Sequence, residues 1–311
     1  APPVDRAEAV ATPIHAIQGS GLASPLAGST VVTEGIVTAR TADGFFLQSA
    51  VGTQDNDPAT SQGLFVFTGA APSGQAAVGN RVRATGLVEE YIPAGNPHQM
   101  PLTRLANATL EVLSSGNPLP QYAIPDRAEL SPDSDADALE RYEGMRFGFI
   151  ETMQVVGPVE GDYVETSGQT TANGVYNIVH LAYPRPFREP GLPLLDAVEP
   201  PAGKAIPRND GNPERVRVDS AGQLGAVPTD YLNAGDQLEN IAGVLHYRDG
   251  AYTLLPDSTS IFQYAVGNPG IAVPPAAERQ FSLGWMKMRR LFDDINDPSR
   301  AEPVMTPAGY D

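Results

Sequence analysis

The chain of 311 residues is longer than one ordinary domain, and its 41% hydrophobic share is enough for packed cores, which excludes wholesale disorder. Its 31 glycines and 30 prolines exclude a mainly helical protein, and its lack of cysteine excludes disulfides and thiolate metal sites. A net charge of −17, with Lys204 and Lys287 as the only lysines, repels polyanions at long range, so nucleic acid binding would need arginine clusters or bridging cations.

The first third of the chain consists of short β runs separated by turns. An Ala/Pro-rich lead covers residues 1–13, and β runs begin at Ile14. The predicted strands are residues 31–40, 45–49, 64–68, 81–91 and 105–113. Gly35 indicates a bend in the long first strand, and Asp43-Gly44 is typical of a hairpin turn. This pattern predicts a five-stranded OB-fold barrel over residues 14–117, with a β-sandwich as the alternative.

A second unit follows a Pro-rich linker at residues 116–125. A short helix is predicted at residues 136–142, with Ser131, Asp133, Asp135 and Asp137 near its N-terminus. The predicted strands are residues 146–156, 163–166, 215–218, 237–247 and 251–255. Together they predict a second OB-like barrel over residues 118–270. A Pro/Gly-rich insertion at residues 168–213 is too long for an ordinary barrel loop.

The tail, residues 271–311, has a different pattern. Apolar side chains recur at helical spacing: Phe281, Trp285, Met288, Phe292 and Ile295. This apolar face has three interpretations: it packs back on the second barrel, it begins a catalytic domain, or it docks onto another copy of the chain as a donated strand or helix. The third interpretation makes Phe281, Trp285, Met288 and Phe292 candidate self-association residues.

Several runs of the sequence carry a likeness to a known family. They are IHAIQG at 14–19, SPL at 24–26, VTEGIVT at 32–38, GFFLQ at 44–48, DNDPATS at 55–61, GLFVFT at 63–68 and LERYEGM at 139–145. Together they resemble the N-terminal tandem OB-fold region of bacterial extracellular nucleases, over roughly residues 14–265. In that family the two modules precede a catalytic domain of the endonuclease/exonuclease/phosphatase type.

The resemblance implies a secreted protein, extracellular or at the cell surface, with its signal peptide removed. The first residues, Ala1-Pro2-Pro3-Val4, are typical of such a mature end, and no apolar run approaches the roughly 18 residues that span a bilayer. The metal-site Asn of the family falls at about Lys287, and no histidine stands in an Asp-His pair. Metal-assisted hydrolysis needs a held cation and a general base together, so we expect no enzymatic activity from this chain, and the parent's metal-dependent nuclease site could be degenerate.

The candidate nucleic-acid-binding residues lie on the barrel strands. An OB barrel binds ligands on the face of its second and third strands, where Phe45, Phe46, Phe65 and Phe67 lie. Strand alternation sends about half of these rings inward, and the candidate binding residues are Phe46, Phe65 and Phe67. Arginines on strands of both units could contact phosphate: Arg81, Arg83, Arg215 and Arg217. The alternative is that the phenylalanines are core residues and that the arginines form cross-strand ion pairs, with Glu89 or Glu90 in the first unit.

A candidate calcium site lies at Asp55, Asn56 and Asp57, which offer hard oxygen ligands. The alternative is an Asx-rich surface turn. Asp133, Asp135 and Asp137 are better explained by capping of the predicted helix.

Two functions follow from the sequence. The first is a non-catalytic module that binds extracellular DNA or RNA, or the cell surface, with Ca²⁺ offsetting the acidic charge. The alternative is an extracellular structural protein that assembles into filaments or a matrix through its apolar tail and sheet edges.

Overall fold

The computed structural model describes residues 10–95, 97, 99–131, 134–135, 137–157, 159–164, 169–183, 214–229, 232–258 and 263–266. These residues are almost entirely β, which confirms the predicted all-β class. One α-helix, α1 (Ile14–Gln18), replaces the β run expected from Ile14. It ends at Gly19, whose φ of 73° lies in the left-handed region. Within the described part of the chain, no helix is long and apolar enough to cross a membrane.

The first unit is a closed barrel of five strands, here called barrel 1. Its strands are β1 (Thr30–Arg40), β2 (Gly44–Gln48), β3 (Gly63–Phe67), β4 (Arg81–Tyr91) and β5 (Leu102–Ser114). They close in the order β1-β2-β3-β5-β4, and β3 and β5 are parallel while the other neighbours are antiparallel. This arrangement confirms the predicted OB-like barrel.

The long strand β1 pairs with two neighbours, and its register shift lies between Val37 and Ala39 rather than at Gly35, where the bend was predicted. Its first part, Thr30 to Ile36, pairs with β4, and from Ile36 onward it pairs with β2. A Cβ at Gly35 would stand 3.0 Å from the Gln48 carbonyl oxygen, so only a small residue fits where β1 changes partner.

The interior of barrel 1 is filled by alternating strand residues and by α1. In β4 every second residue from Val82 to Val88 is buried, as expected for a strand with one face inward. Ile14 and Ile17 of α1 are at most 1% exposed and pack into the same core. Because they lie three residues apart, a helical spacing, both reach that core from one face of α1.

The second unit, here called barrel 2, has ten strands among its described residues. They are β6 (Arg146–Phe149), β7 (Met153–Val155), β8 (Gly161–Val164), β9 (Gln169–Ala172), β10 (Val175–His180), β11 (Arg215–Asp219), β12 (Gln237–Glu239), β13 (Ile241–Arg248), β14 (Ala251–Pro256) and β15 (Gln263–Ala265). Eight form one sheet in the order β15-β12-β7-β10-β11-β14-β13-β6, and β8 and β9 form a separate hairpin.

Barrel 2 repeats the strand order of barrel 1 when β6 and β7 are taken as two halves of one bent strand. β6 pairs with β13, and β7 pairs with β10. β10 then pairs with β11, β11 runs parallel to β14, and β14 pairs with β13. The sheet has more than the five predicted strands for three reasons. The strand pairing is interrupted at residues 150–152, which divides β6 from β7, and Asn240 (φ 58°) separates β12 from β13. In addition, β15 pairs with β12.

Two local predictions were wrong. The helix predicted at residues 136–142 is absent; the segment holds a 3-10 turn at Glu140–Tyr142, after another at Arg127–Leu130. Leu139 is fully buried and Gly144 has a φ of 72°, so the chain turns into barrel 2 before a helix can extend.

The insertion was predicted to start too early in the sequence, since β9 and β10 lie inside 168–213 and β10 is a barrel strand. Residues 184–213 and the tail from 267 lie outside the described residues.

The two barrels share a hydrophobic core, here called the junction. Ala39, Phe46, Phe65 and Leu102 of barrel 1 belong to the same buried cluster as the following residues of barrel 2: Phe147, Phe149, Leu245, Tyr247 and Tyr252. A register shift between Val37 and Ala39 in β1 turns Ala39 toward this cluster rather than toward the interior of barrel 1. The sequence did not predict this contact. The alternation of residues along a strand indicates which side chains face outward, but not whether a second unit covers them.

Main-chain contacts hold the junction together. The Ser61 hydroxyl donates to the Glu143 carbonyl oxygen (2.6 Å), and the Gly144 N–H donates to the Leu245 carbonyl oxygen (2.8 Å). Gly63 of β3 and Gly144 meet so closely that a Cβ on Gly63 would stand 2.1 Å from the Gly144 carbonyl carbon.

Candidate functional site

The aromatic face predicted for ligand stacking lies mostly under barrel 2. Phe46 and Phe65 are at most 3% exposed, with ring centroids 4.9 Å apart, and the His246 ring lies 5.1 Å from Phe46 and 4.8 Å from Phe65. Phe45 points into barrel 1 and is fully buried. Phe46 and Phe65 are therefore junction core residues in this structure, as the alternative interpretation held, and not an open stacking platform.

Phe67 lies at the rim of this buried face, in what we call the edge cluster: Phe67, Tyr91 and Arg104. The Arg104 guanidinium carbon lies 4.1 Å from the Phe67 ring centroid and 3.8 Å from the Tyr91 centroid, and Arg104 pairs with Glu89 at 3.0 Å. Tyr91 is 39% exposed, so part of the cluster faces solvent. Arginine on aromatic faces is a favourable cation–π arrangement.

The edge cluster has the position that OB-folds use for ligands. Phe67 is paired with Gly44, next to the β1–β2 turn, and Tyr91 is paired with Leu102 at the β4–β5 connection. Loops at these two connections flank the usual OB binding face. The sequence analysis missed Tyr91 and Arg104, because only the parallel pairing of β3 with β5 brings Arg104 beside the phenylalanines.

Arg81, Arg83 and Arg217 form ion pairs with carboxylates, as the alternative interpretation held. Arg81 and Arg83 each contact Glu34 of β1 at 2.8 Å, so their main partner is neither Glu89 nor Glu90. In barrel 2, Arg217 lies 3.5 Å from Asp249. Arg215 is partly exposed on β11 and pairs with Val179 in the strand register.

The predicted calcium loop has the geometry of a polar turn. The Asp55 carboxylate accepts hydrogen bonds from Thr60 (3.0 Å) and from Gln62 (2.6 Å), and Asp57 accepts the Ala59 N–H at 2.9 Å. Asn56 is exposed. In the ranges that the structure describes, no three His, Asp or Glu side chains converge in a way that could hold a metal ion. Asp133 and the self-association residues Phe281, Trp285, Met288 and Phe292 lie outside those ranges.

The histidines have roles that the sequence did not show. His180 of β10 contacts Glu151, which also accepts two hydrogen bonds from Arg127. Hydrogen bonding to Arg127, and then to His180, lowers the Glu151 pKa to about 2. This cluster lies at the break between β6 and β7.

His246 is buried among the junction aromatics. Its pKa is lowered to about 3, chiefly by burial and secondarily by the charge of Arg248.

A second group missed by the sequence analysis is formed by the junction carboxyls: Glu90, Glu140 and Glu143. Glu143 is 1% exposed and neither of its side-chain oxygens has a hydrogen-bond partner. Glu140 accepts a hydrogen bond from the Tyr252 hydroxyl at 3.1 Å. Burial, with the negative charges of the other carboxylates, raises the pKa of Glu140 to about 8 and that of Glu143 well above its ordinary value.

The fold and the site define a class: a tandem OB-fold protein whose second barrel covers most of the usual ligand face of the first and leaves an aromatic–arginine cluster at its edge. Residues 95–265, more than half of the chain, match the family described as Domain of unknown function (DUF8508), and the chain belongs to that family. The match covers β5, the linker and the described strands of barrel 2. No curated protein matches the chain.

Proposed function

We propose that this protein is a non-catalytic binding module of a secreted, nuclease-like protein, and that it holds single-stranded nucleic acid at the edge cluster. The observation that carries the proposal is the partly exposed Tyr91 ring, held against Arg104 and beside Phe67 at the position where OB-folds bind ligands. An aromatic face can stack on any base, and such stacking contributes about 1–3 kcal/mol per base.

The charge of the protein sets conditions on this binding. A net charge of −17 opposes the approach of a polyanion, and Arg81, Arg83, Arg104 and Arg217 are each paired with a carboxylate. Stacking must therefore supply most of the affinity. Ca²⁺ would help by screening and bridging acidic groups, and the part of the affinity that comes from arginine–phosphate contacts should weaken as salt rises.

Fluorescence anisotropy with a labelled single-stranded oligonucleotide at low salt, with and without Ca²⁺, tests the proposal. Tyr91→Ala removes the stacking ring and should weaken binding by about 1–3 kcal/mol, whereas Tyr91→Phe keeps the ring and should bind like the native protein. Val227→Ala, at an apolar residue of barrel 2 that is 82% exposed, controls for loss of exposed apolar surface.

Two results would contradict the proposal. One is the absence of binding at low salt with Ca²⁺ present. The other is equal binding by Tyr91→Ala and the native protein, which would place any nucleic acid site elsewhere on the chain.

A further inference from the structure

The junction carboxyls lie where the two barrels and their linker meet. Glu90 comes from β4 of barrel 1, whereas Glu140 and Glu143 come from the segment that joins β5 to β6, residues 115–145, here called the linker. The Ser61 hydroxyl of barrel 1 donates to the Glu143 carbonyl oxygen, and the N–H of the next residue, Gly144, donates to the Leu245 carbonyl oxygen of barrel 2. A change in the charge of this linker therefore acts on both barrels at once.

Few groups stabilise negative charge on Glu140 and Glu143, whereas Glu90 accepts hydrogen bonds from the Ser24 N–H (2.7 Å) and the Thr103 hydroxyl (2.8 Å). Glu143 faces the carboxylates of Glu140 and Glu90, and only the Gln18 amide and the Thr103 backbone act on it in the favourable direction. Neither of these two gives a Glu143 oxygen a geometrically sound hydrogen bond. A buried ionised carboxylate without hydrogen bonds is strongly unfavourable.

Glu140 has similar surroundings. It faces Glu90 and Asp137, both of which disfavour its ionisation, and the Tyr252 hydroxyl is the group that favours it. Burial raises the pKa of Tyr252 and of Tyr247 in barrel 2, and negative charge on Glu140 and Glu143 raises both further. The acidic side of the junction thus combines three carboxyls and two phenols.

We propose that the junction is a proton-dependent latch, which keeps barrel 2 closed over Phe46 and Phe65 while Glu140 and Glu143 carry protons and opens when both lose them. Two new charges beside Glu90 would be poorly hydrated inside the junction and are better hydrated if the linker leaves it. Its departure breaks the hydrogen bonds from the linker to Ser61 and Leu245 and loosens the contact between the barrels. Opening uncovers the ring pair now covered by His246. That this ring pair then binds nucleic acid rests on the proposed function; the latch itself does not.

The latch can be tested without a ligand, because the chain has no cysteine and a single introduced thiol reports its own exposure. Ala39→Cys places the thiol in the junction cluster, and Ala84→Cys places it in the core of barrel 1; both alanines are fully buried. The rate of modification by a thiol reagent is measured across pH and divided by the rate for the same variant unfolded in urea, which removes the effect of thiol ionisation.

We expect the corrected rate at Ala39→Cys to rise as the pH approaches about 8, by about tenfold per pH unit for each proton released on opening, while Ala84→Cys stays protected. Glu140→Gln and Glu143→Gln, each combined with Ala39→Cys, should flatten this rise. Tyr252→Phe removes the hydroxyl that stabilises ionised Glu140 and should shift the rise to higher pH, which provides a second test if a glutamine variant fails to fold.

Three outcomes would overturn the latch. The first is a thiol at position 39 that stays protected at every pH. The second is equal exposure of the thiols at positions 39 and 84, which would mean global unfolding. The third is a rise in modification rate with pH that the glutamine and phenylalanine variants leave unchanged. Failure of oligonucleotide binding would not affect these readings, so the latch and the proposed function fail separately.

Discussion

At the scale of single residues, the contact between Gly63 and Gly144 fixes how closely the barrels approach. A Cβ on Gly63 would stand 2.1 Å from the Gly144 carbonyl carbon, and the obstructing atoms are backbone, which cannot rotate away. Gly63→Ala should therefore lower the free energy of unfolding by about 1–3 kcal/mol or more, measured by urea denaturation. Gly74→Ala is the matched control, since nothing lies within 4 Å of its added Cβ, and a change within about 0.5 kcal/mol is expected. Equal effects would show that the junction can relax around the methyl group.

The same scale shows what the sequence could and could not reveal about the site. Strand alternation placed Phe46 and Phe65 opposite Phe45, on the outer face of barrel 1, but could not show that another barrel covers them. Tyr91 and Arg104 escaped notice because their partners are distant in sequence and meet only through barrel closure. Glu143 looked like one acidic residue among many.

At the scale of elements, Glu34 ties β1 to β4. Its carboxylate contacts both Arg81 and Arg83 at 2.8 Å and its side chain is 17% exposed, whereas Glu111, 3.5 Å from Arg83, is 65% exposed. Glu34→Gln should lower the free energy of unfolding by about 1 kcal/mol, and Glu111→Gln by less than about 0.5 kcal/mol. The difference should shrink in high salt. Equal losses in urea denaturation would contradict this assignment.

Element boundaries followed the sequence where the pattern was local. β4 was predicted to the residue, because its alternation and its flanking turns lie within one short window. β10 was missed because nearby Pro and Gly outweighed a run of six strand-forming residues, and α1 was missed because two isoleucines in a five-residue helix give too little periodicity. The closing order of each barrel depends on pairings between distant strands, and came from the OB-fold expectation rather than from the residues alone.

At the scale of the whole molecule, the barrels share one core, so the buried titratable groups of that core should make the stability of both barrels depend on pH. His246 has its pKa lowered from 6.5 to about 3, so the unfolded chain takes up this proton first and stability is lost as the pH falls below 6.5. Glu140 has its pKa raised from 4.5 to about 8, so the unfolded chain releases this proton first and stability is lost as the pH rises from 4.5 to about 8; Glu143 acts in the same direction.

Between pH 4.5 and 6.5, a rise in pH lowers the free energy of unfolding through two glutamates and raises it through one histidine. These three groups together therefore place the greatest stability near pH 4.5. Urea denaturation midpoints across pH provide the measurement. His246→Gln should reduce the loss on the acidic side, and Glu140→Gln should reduce it on the alkaline side. A midpoint that increases steadily up to pH 8 would show that the junction carboxyls are hydrated in the folded protein.

The hydrogen bonds from Ser61 to Glu143 and from Gly144 to Leu245 also determine how the protein carries tension. Because adjacent residues of the linker are bonded to the two barrels, a force that separates the barrels acts on both hydrogen bonds at once. We therefore expect the described parts of the two barrels to resist separation until both bonds break.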